Sequence, residues 1–174
     1  HWMKKAGCTR IYFGLESGSQ RILDLYQKGI KVEEAIETLL LCRKHGIETT
    51  GFFMSGFPEE TEDDFDNTIA FAIKAKLTFA SVNPLTPYPG TSLFDRLQED
   101  IDFSLFPYKN EFKDPQIVVN FTKRKKKFYK AFYMRPNYVL SNVPSIIKNF
   151  SEISGHAVGL LKYVFFNGEF VISG

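Results

Sequence analysis

Apolar and polar positions alternate with two different periods along the first hundred residues. Residues 9–15 (TRIYFGL) are β-branched and aromatic and are bounded by Gly7 and Ser17-Gly18, which predicts a short buried strand. A helical region follows, in which Val32, Ala35, Ile36, Leu39, Leu40 and Arg43 recur at spacings of three and four and mark one stripe. Lys44, His45 and then Gly46 supply the charges and the stop expected of a helix C-terminus. Residues 47–55 (IETTGFFMS) predict a second strand. Thr61 with Asp64 three residues on forms a capping-box variant for a helix whose apolar face is Phe65, Ile69, Ala72 and Ile73. Residues 77–84 (LTFASVNP) predict a third strand. After the Pro89-Gly90 turn, Thr91 caps a short helix carrying Leu93, Phe94 and Leu97.

Strand and helix therefore alternate over residues 9–98, and short connections imply parallel strands joined by right-handed crossovers, an α/β arrangement. All the strands then end on one side. The loops Glu16-Ser17-Gly18-Ser19, Gly56-Phe57-Pro58-Glu59 and Thr86-Pro87-Tyr88-Pro89-Gly90 are expected to meet there, at the rim where such folds bind ligands. Past residue 98 the pattern changes. Residues 99–119 read as a linker or irregular cover, with Pro107 and Pro115. Residues 120–174 read as a helical C-terminal extension, broken at Pro136, Pro144 and Gly155. The opening residues, 1–7, read as the last turn of a helix ended by Gly7, so the chain is expected to be cut from a longer protein.

Composition narrows the function. A hydrophobic share of 44% with 18 Phe and 8 Tyr suits a core-forming protein rather than a disordered one. A net charge of +2 gives no general case for nucleic acid, and the uneven blocks at 59–66 and 123–127 read first as solvated faces. The two cysteines, Cys8 and Cys42, make neither a metal motif nor a disulfide framework, and read as buried reduced thiols in a cytoplasmic protein. No apolar run has membrane-spanning length; 158–166 is apolar but short and carries Lys162.

The first two rim loops each carry two readings. In the first, Glu16 can accept hydrogen bonds from two vicinal hydroxyls, as on a ribose, and Gly18 lets a ligand approach the backbone. The structural reading is a turn in which Ser17 or Ser19 caps the next helix. In the second loop Gly56 exposes backbone groups that can pair with an adenine; structurally, Glu59 and Glu60 simply favour the helix N-terminus. The third loop holds three prolines between 84 and 89 and is stiff enough to form a pocket wall without ordering cost.

Taken together, these loops resemble one family. Ala6-Gly7-Cys8, residues 14–19 (GLESGS), residues 51–61 (GFFMSGFPEET) and Pro87-Tyr88-Pro89-Gly90-Thr91 are similar to the second half of a radical S-adenosylmethionine (SAM) barrel. The resemblance extends to the cobalamin-dependent subgroup, which includes the anaerobic magnesium-protoporphyrin ester cyclase, and reaches Phe128–Leu140 in the tail. It implies a partial TIM-like parallel barrel. In that family a [4Fe–4S] cluster reduces SAM to a 5′-deoxyadenosyl radical, which abstracts a substrate hydrogen. By position, Glu16, Ser17, Gly18 and Ser19 would lie by the SAM ribose or amino-acid moiety. Met54, Gly56 and Phe57 would flank the adenine, with Leu85 and Thr86 bordering it from the next strand, and Lys28 is a candidate for the SAM carboxylate. The implied activity is that of an oxidoreductase or methyltransferase acting on a small molecule, tetrapyrrole or lipid-like, with cobalamin left open.

Two departures qualify the resemblance. Residues 58–61 read Pro-Glu-Glu-Thr where the family favours Pro-Gly-Glu-Thr, so Glu59 is expected to reshape that loop. The family's three-cysteine cluster motif is also absent, and two cysteines cannot replace it, so this chain alone is expected to be inactive and to bind SAM weakly. The unpaired sheet edge of a cut barrel predicts a homo-oligomer. A rival reading makes the basic, aromatic helix 123–135 a nucleic-acid or membrane binder. Against it, Phe128/Phe132 and Tyr129/Tyr133 are i, i+4 pairs that suit a packed helix, and no nucleic-acid partner is expected. His45 reads as a helix cap and His156 as no ligand.

Overall fold

In a computed structural model the β-branched runs form parallel strands and the stripes with helical spacing pack over them. The structure describes residues 1–97, 99, 101–102, 111–112 and 115–141. In order, the elements are α1 (Trp2–Lys5), β1 (Arg10–Glu16), α2 (Gln20–Leu25), α3 (Val32–Lys44), β2 (Glu48–Ser55), α4 (Glu62–Lys74), β3 (Phe79–Pro84), α5 (Ser92–Leu97), β4 (Ile101–Asp102), β5 (Glu111–Phe112) and α6 (Pro115–Tyr133). Residues His1–Lys125 form one compact unit, and a second begins at Lys126.

Strands β1, β2 and β3 form a three-stranded parallel sheet in sequence order. Arg10 pairs with Glu48, Gly14 with Phe52, Thr50 with Phe79 and Ser55 with Pro84, so the strands end level with one another. Phe13 and Leu15 of β1 face Ala35 and Thr38 of α3, and Phe53 of β2 meets Phe71 of α4 edge-on, 5.8 Å between ring centres. Both crossover helices thus cover the same face. Sequential order with helices on one face is the arrangement of a run of strands in a TIM-like fold, whereas a doubly wound sheet has helices on both faces.

The helix-covered face carries the core. Leu15, Leu39, Phe53, Phe65, Phe71, Ala72, Leu77 and Val82 are buried on or beneath it, and a fully buried Phe or Leu contributes about 1.5–3 kcal/mol. The opposite face is open. It exposes Tyr12 at 61%, Phe52 at 40% and Phe79 at 38%, a large apolar share for a surface facing water. Tyr12 stacks on Phe52 at 6.0 Å, and the Arg10 guanidinium sits 4.8 Å over Phe79.

Local signals explain most boundaries. The capping box at Thr61 and Asp64 is formed in both directions. His45 is the C-cap of α3, and the Thr91 hydroxyl accepts from the Phe94 N–H at 3.2 Å at the start of α5. Other expectations need correction. The helical region after β1 is two helices, α2 and α3, because Gln27 and Gly29 take positive φ between them. On α3 only Ile36 and Leu39 are buried, while Leu40 and Arg43 lie outside the contact with the sheet. The segment read as a linker is structured in part: β4 and β5 pair antiparallel, and α6 starts at Pro115, a residue suited to a first helical position. Cys8 and Cys42 are half-buried rather than buried, Cys8 before the first residue of β1 and Cys42 on the flank of α3.

In the second unit, Phe128, Tyr129 and Phe132 are buried. Phe128 stacks on Phe132 and Tyr129 on Tyr133, the i, i+4 pairing read from the sequence. Met134 and Arg135 bend the chain, and helical turns resume at Pro136. The breaks expected at Pro144 and Gly155, and the residues His156 and 158–166, lie outside the described residues.

Candidate nucleoside-binding rim

The three loops expected to converge do leave the sheet on one side, since parallel strands in register end together. Glu16 sits where β1 breaks register, its φ of +64° being one that L-residues adopt at a cost of about 1–3 kcal/mol. The Ser17 N–H closes a three-residue turn onto the Leu15 carbonyl at 2.7 Å, which holds Glu16 in that conformation. The residue is half-exposed, and its Oε1 lies 3.4 Å from the position a Cβ on Gly14 would occupy.

The next three residues turn inward. Ser17 and Ser19 are buried. The Ser17 hydroxyl lies 3.3 Å from the Thr68 hydroxyl on α4, and the Gly18 N–H donates to that same Thr68 oxygen at 2.9 Å. Ser19 caps α2 and donates to Asp64 at 2.6 Å. Gly18 is glycine for a reason other than ligand approach. A Cβ there would lie 2.5 Å from Thr68 Cα and 2.6 Å from the Asn67 carbonyl oxygen, so α4 itself occupies the space. Asp64 organises this contact. Burial works against its ionisation, but hydrogen bonds from Arg21, Ser19 and Thr61 outweigh that and hold its carboxyl well below the usual range.

The second and third loops bring the other site residues together. Phe57 and Leu85 form a buried cluster with Ile22, against which Met54, Tyr26 and Leu93 pack. The Leu85 N–H donates to the Ser55 carbonyl at 2.9 Å, extending the pairing of β2 and β3 into the loops. Gly56 takes φ +98°, and nothing lies within 4 Å of the position a Cβ would occupy. Thr86 is half-buried, and its hydroxyl leans on the Pro84 carbonyl at 3.4 Å. Lys28 is exposed beyond α2. Thus Met54, Phe57 and Leu85 share one cluster, Gly56 and Thr86 flank it, and Ser17, Gly18 and Ser19 are committed to α4.

Several residues of the rim were not legible as such. Glu60 turns back to the strand rather than serving the helix N-terminus. Its Oε2 accepts from the Ser55 hydroxyl at 2.7 Å, the Gly56 N–H at 2.8 Å and Arg124 Nη1 at 2.7 Å. Burial raises the Glu60 pKa against the pull of those three donors. Glu59 binds the loop to its neighbours: Tyr26 donates to it, Arg96 pairs with it at 3.2 Å, and Arg21 reaches its carbonyl at 2.7 Å. Burial and that carboxylate push the Tyr26 hydroxyl pKa upward. A paired carboxylate after Gly-Phe-Pro and an arginine inside a lysine run were the only available signals.

A cleft of about 270 Å³ lies elsewhere, between Phe13–Leu15, Gly29–Lys31, Glu34 and Thr38. None of the expected site residues lines it.

The fit of the implied cofactors differs. Toward a nucleoside the strand ends present an apolar cluster and open space at Gly56, whose N–H is already bound to Glu60, with the Glu16 carboxylate on the neighbouring strand. An iron–sulfur cluster is not matched, because among the described residues no three Cys, His, Asp or Glu side chains gather to hold a metal ion.

A sequential parallel α/β unit whose strand-end loops leave the sheet on one side is thus the class defined by the fold. The Radical SAM superfamily profile matches residues 2–72, from α1 through most of α4. Over 148 residues the chain is 34% identical to an uncharacterized methyltransferase of Pyrococcus horikoshii, covering 81% of this chain and 32% of that protein. It is 28% identical over 137 residues to the bacteriochlorophyllide d C-12(1)-methyltransferase of Chlorobaculum tepidum, covering 73% and 30%. It is 29% identical over 118 residues to the anaerobic magnesium-protoporphyrin IX monomethyl ester cyclase of Cereibacter sphaeroides, covering 66% and 19%. The chain belongs to the radical SAM superfamily. It spans about a third or less of the length of these relatives. No helix among the described residues is long and apolar enough to cross a membrane.

Proposed function

We propose that the rim formed by Glu16, Met54, Gly56, Phe57, Leu85 and Thr86 is one wall of a SAM pocket in a radical SAM enzyme. The observation that carries this reading is Gly56. It leaves open space beside the apolar cluster of Phe57, Leu85 and Met54, room for an adenine ring, while its own N–H is held by Glu60. Strain at Glu16 in the same row of strand ends supports a ligand role, since an L-residue held at positive φ marks a position fixed by more than local preference. Glu16 would accept from the ribose hydroxyls. When bound, SAM supplies the alkyl group or radical precursor; these residues orient the nucleoside and exclude water from one side of it.

The parent reaction is of methyltransferase or methylthiotransferase type, on a tetrapyrrole or lipid-like substrate, with cobalamin as a further cofactor. The matched relatives support that class. No step through an iron–sulfur cluster is assigned to these residues, and the chain alone is expected to be inactive. The barrel expectation belongs to the same reading, with Tyr12, Phe52 and Phe79 on the inner face of a longer barrel and β1 at an edge that pairs with another strand or a second copy. The alternative, a nucleic-acid or membrane module built on 123–135, gains no support from Arg124, whose guanidinium is spent on Glu60 and Glu62.

The test is production of 5′-deoxyadenosine by the protein that contains this chain, reduced and reconstituted with iron and sulfide. Glu16→Ala is expected to raise the SAM requirement at least tenfold, about the effect of losing a charge-assisted hydrogen bond. Unchanged SAM dependence in that variant would remove Glu16 from the pocket. Absence of 5′-deoxyadenosine from the unaltered protein would remove the enzyme reading. Sedimentation of the isolated chain checks the edge, with a dimer expected and a monomer counting against it.

A further inference from the structure

The lysine run at 123–127 contains one arginine, and the structure uses it differently from a surface charge. Arg124 is only 14% exposed. Its Nη1 donates to Glu60 Oε2 at 2.7 Å, its Nη2 to the Glu60 carbonyl at 3.3 Å and its Nε to Glu62 Oε1 at 2.8 Å, and its guanidinium lies 5.6 Å over the ring of Phe65. Such a planar fork fits these partners as a lysine would not. The Glu60 side chain is fully buried, and the same oxygen that takes Arg124 also takes the Ser55 hydroxyl and the Gly56 N–H. Among the described residues its Oε1 has no hydrogen-bond partner. A buried carboxylate is costly without a cation, so its place at the end of β2 depends on Arg124.

We infer that Arg124, carried on α6, is a positioning residue that acts through Glu60 to fix the Gly56 backbone at the nucleoside rim. The inference rests on the SAM reading above for its consequence, but the clamp itself is independent of any ligand. Without the guanidinium, Glu60 takes up a proton or leaves its buried place. Protonation leaves the Gly56 N–H only the weaker acceptor of a neutral acid, and departure removes the acceptor altogether, so in both cases the hold on the Gly56 backbone at φ +98° weakens. The residue that sets the rim's geometry thus lies 64 positions from the carboxylate it steadies.

The experiment reads two things in parallel: amide hydrogen exchange at Gly56 and the Kd for SAM. Arg124→Ala is expected to speed Gly56 exchange and to weaken SAM binding, each by about tenfold, the scale of one charge-assisted hydrogen bond. Arg124→Lys, which keeps the charge, is expected to recover part of both. Glu62→Gln removes only the exposed partner of Arg124 and is expected to leave both near their original values. If Arg124→Ala fails to fold, Arg124→Lys alone still decides, because loss of the fork without loss of charge must speed Gly56 exchange. Unchanged Gly56 exchange in the folded Arg124 variants overturns the inference. If unaltered protein fails to bind SAM, the proposed function falls, and the Gly56 exchange then decides the clamp by itself.

Discussion

The loops after β1 and β2 each present a glycine at a strand end, and the two glycines exist for opposite reasons. At Gly18 the neighbouring helix comes so close that a Cβ would meet the Thr68 and Asn67 backbone. At Gly56 the space is empty and the backbone conformation alone requires glycine, with φ +98°. The first loop is thereby closed, its two serines bonded to α4, and the second is open, its one buried carboxylate bonded back to the strand. A glycine in a strand-end motif is therefore no evidence of a ligand until its missing side chain is located. Packing glycines anchor the rim, and conformational glycines leave room on it.

That contrast can be broken most directly at Gly18. Gly18→Ala is expected to cost about 3 kcal/mol, the upper end of overpacking effects, because the obstructing atoms are backbone and cannot rotate away. Urea denaturation measures it, and a cost below about 0.5 kcal/mol, the range of neutral surface changes, would show that α4 yields. Gly56→Ala should cost less, about 1–2 kcal/mol, since only the left-handed backbone is strained. If Gly56→Ala proves the more damaging of the two, the assignment of open and closed loops is inverted.

The carboxylates sharpen the same comparison through pH. Asp64, in the closed contact, has a lowered folded pKa, so it contributes stability above the ordinary aspartate pKa that is lost as pH falls toward its depressed value. Glu60, in the open loop, has a raised one, so its contribution is present below the ordinary glutamate pKa and lost as pH rises through the elevated value. Denaturant titrations at stepped pH should therefore show Asp64→Asn flattening the rise in stability on the acid side. Glu60→Gln should steepen it. Parallel profiles for the two variants would contradict the opposite environments assigned here. The smallest expected effect belongs to Tyr26, whose hydroxyl ties α2 to Glu59 and Arg96. Tyr26→Phe should cost about 1 kcal/mol, and a Tm unchanged from the parent would make that tie dispensable.

What could be read from the sequence was local. Three β-branched runs gave three strands, Thr61 with Asp64 gave a capping box, and Thr91 gave the start of α5, because each depends on residues within one turn of each other. What escaped depends on residues far apart. The inward turn of Ser17–Ser19 is set by Thr68 and Asp64, about 45–51 positions later, and nothing near Gly18 distinguishes a packing glycine from a ligand-facing one. Glu60 and Arg124 are joined only by the fold. The register break at Glu16 has no local signal either, since Leu-Glu-Ser carries no residue that prefers positive φ. The site residues that came together, Met54, Phe57 and Leu85, are the apolar ones, because burial gathers apolar side chains at strand ends whatever their role.

The central claim is best tested by titrating the labelled chain with SAM and following amide and methionine-methyl resonances. The account predicts that Met54, Gly56 and Thr86 shift together and saturate at one Kd, while Gly18 and Ser19, sealed against α4, stay in place. Shifts confined to the cleft beside Phe13 and Thr38, or none along the strand ends, would contradict it.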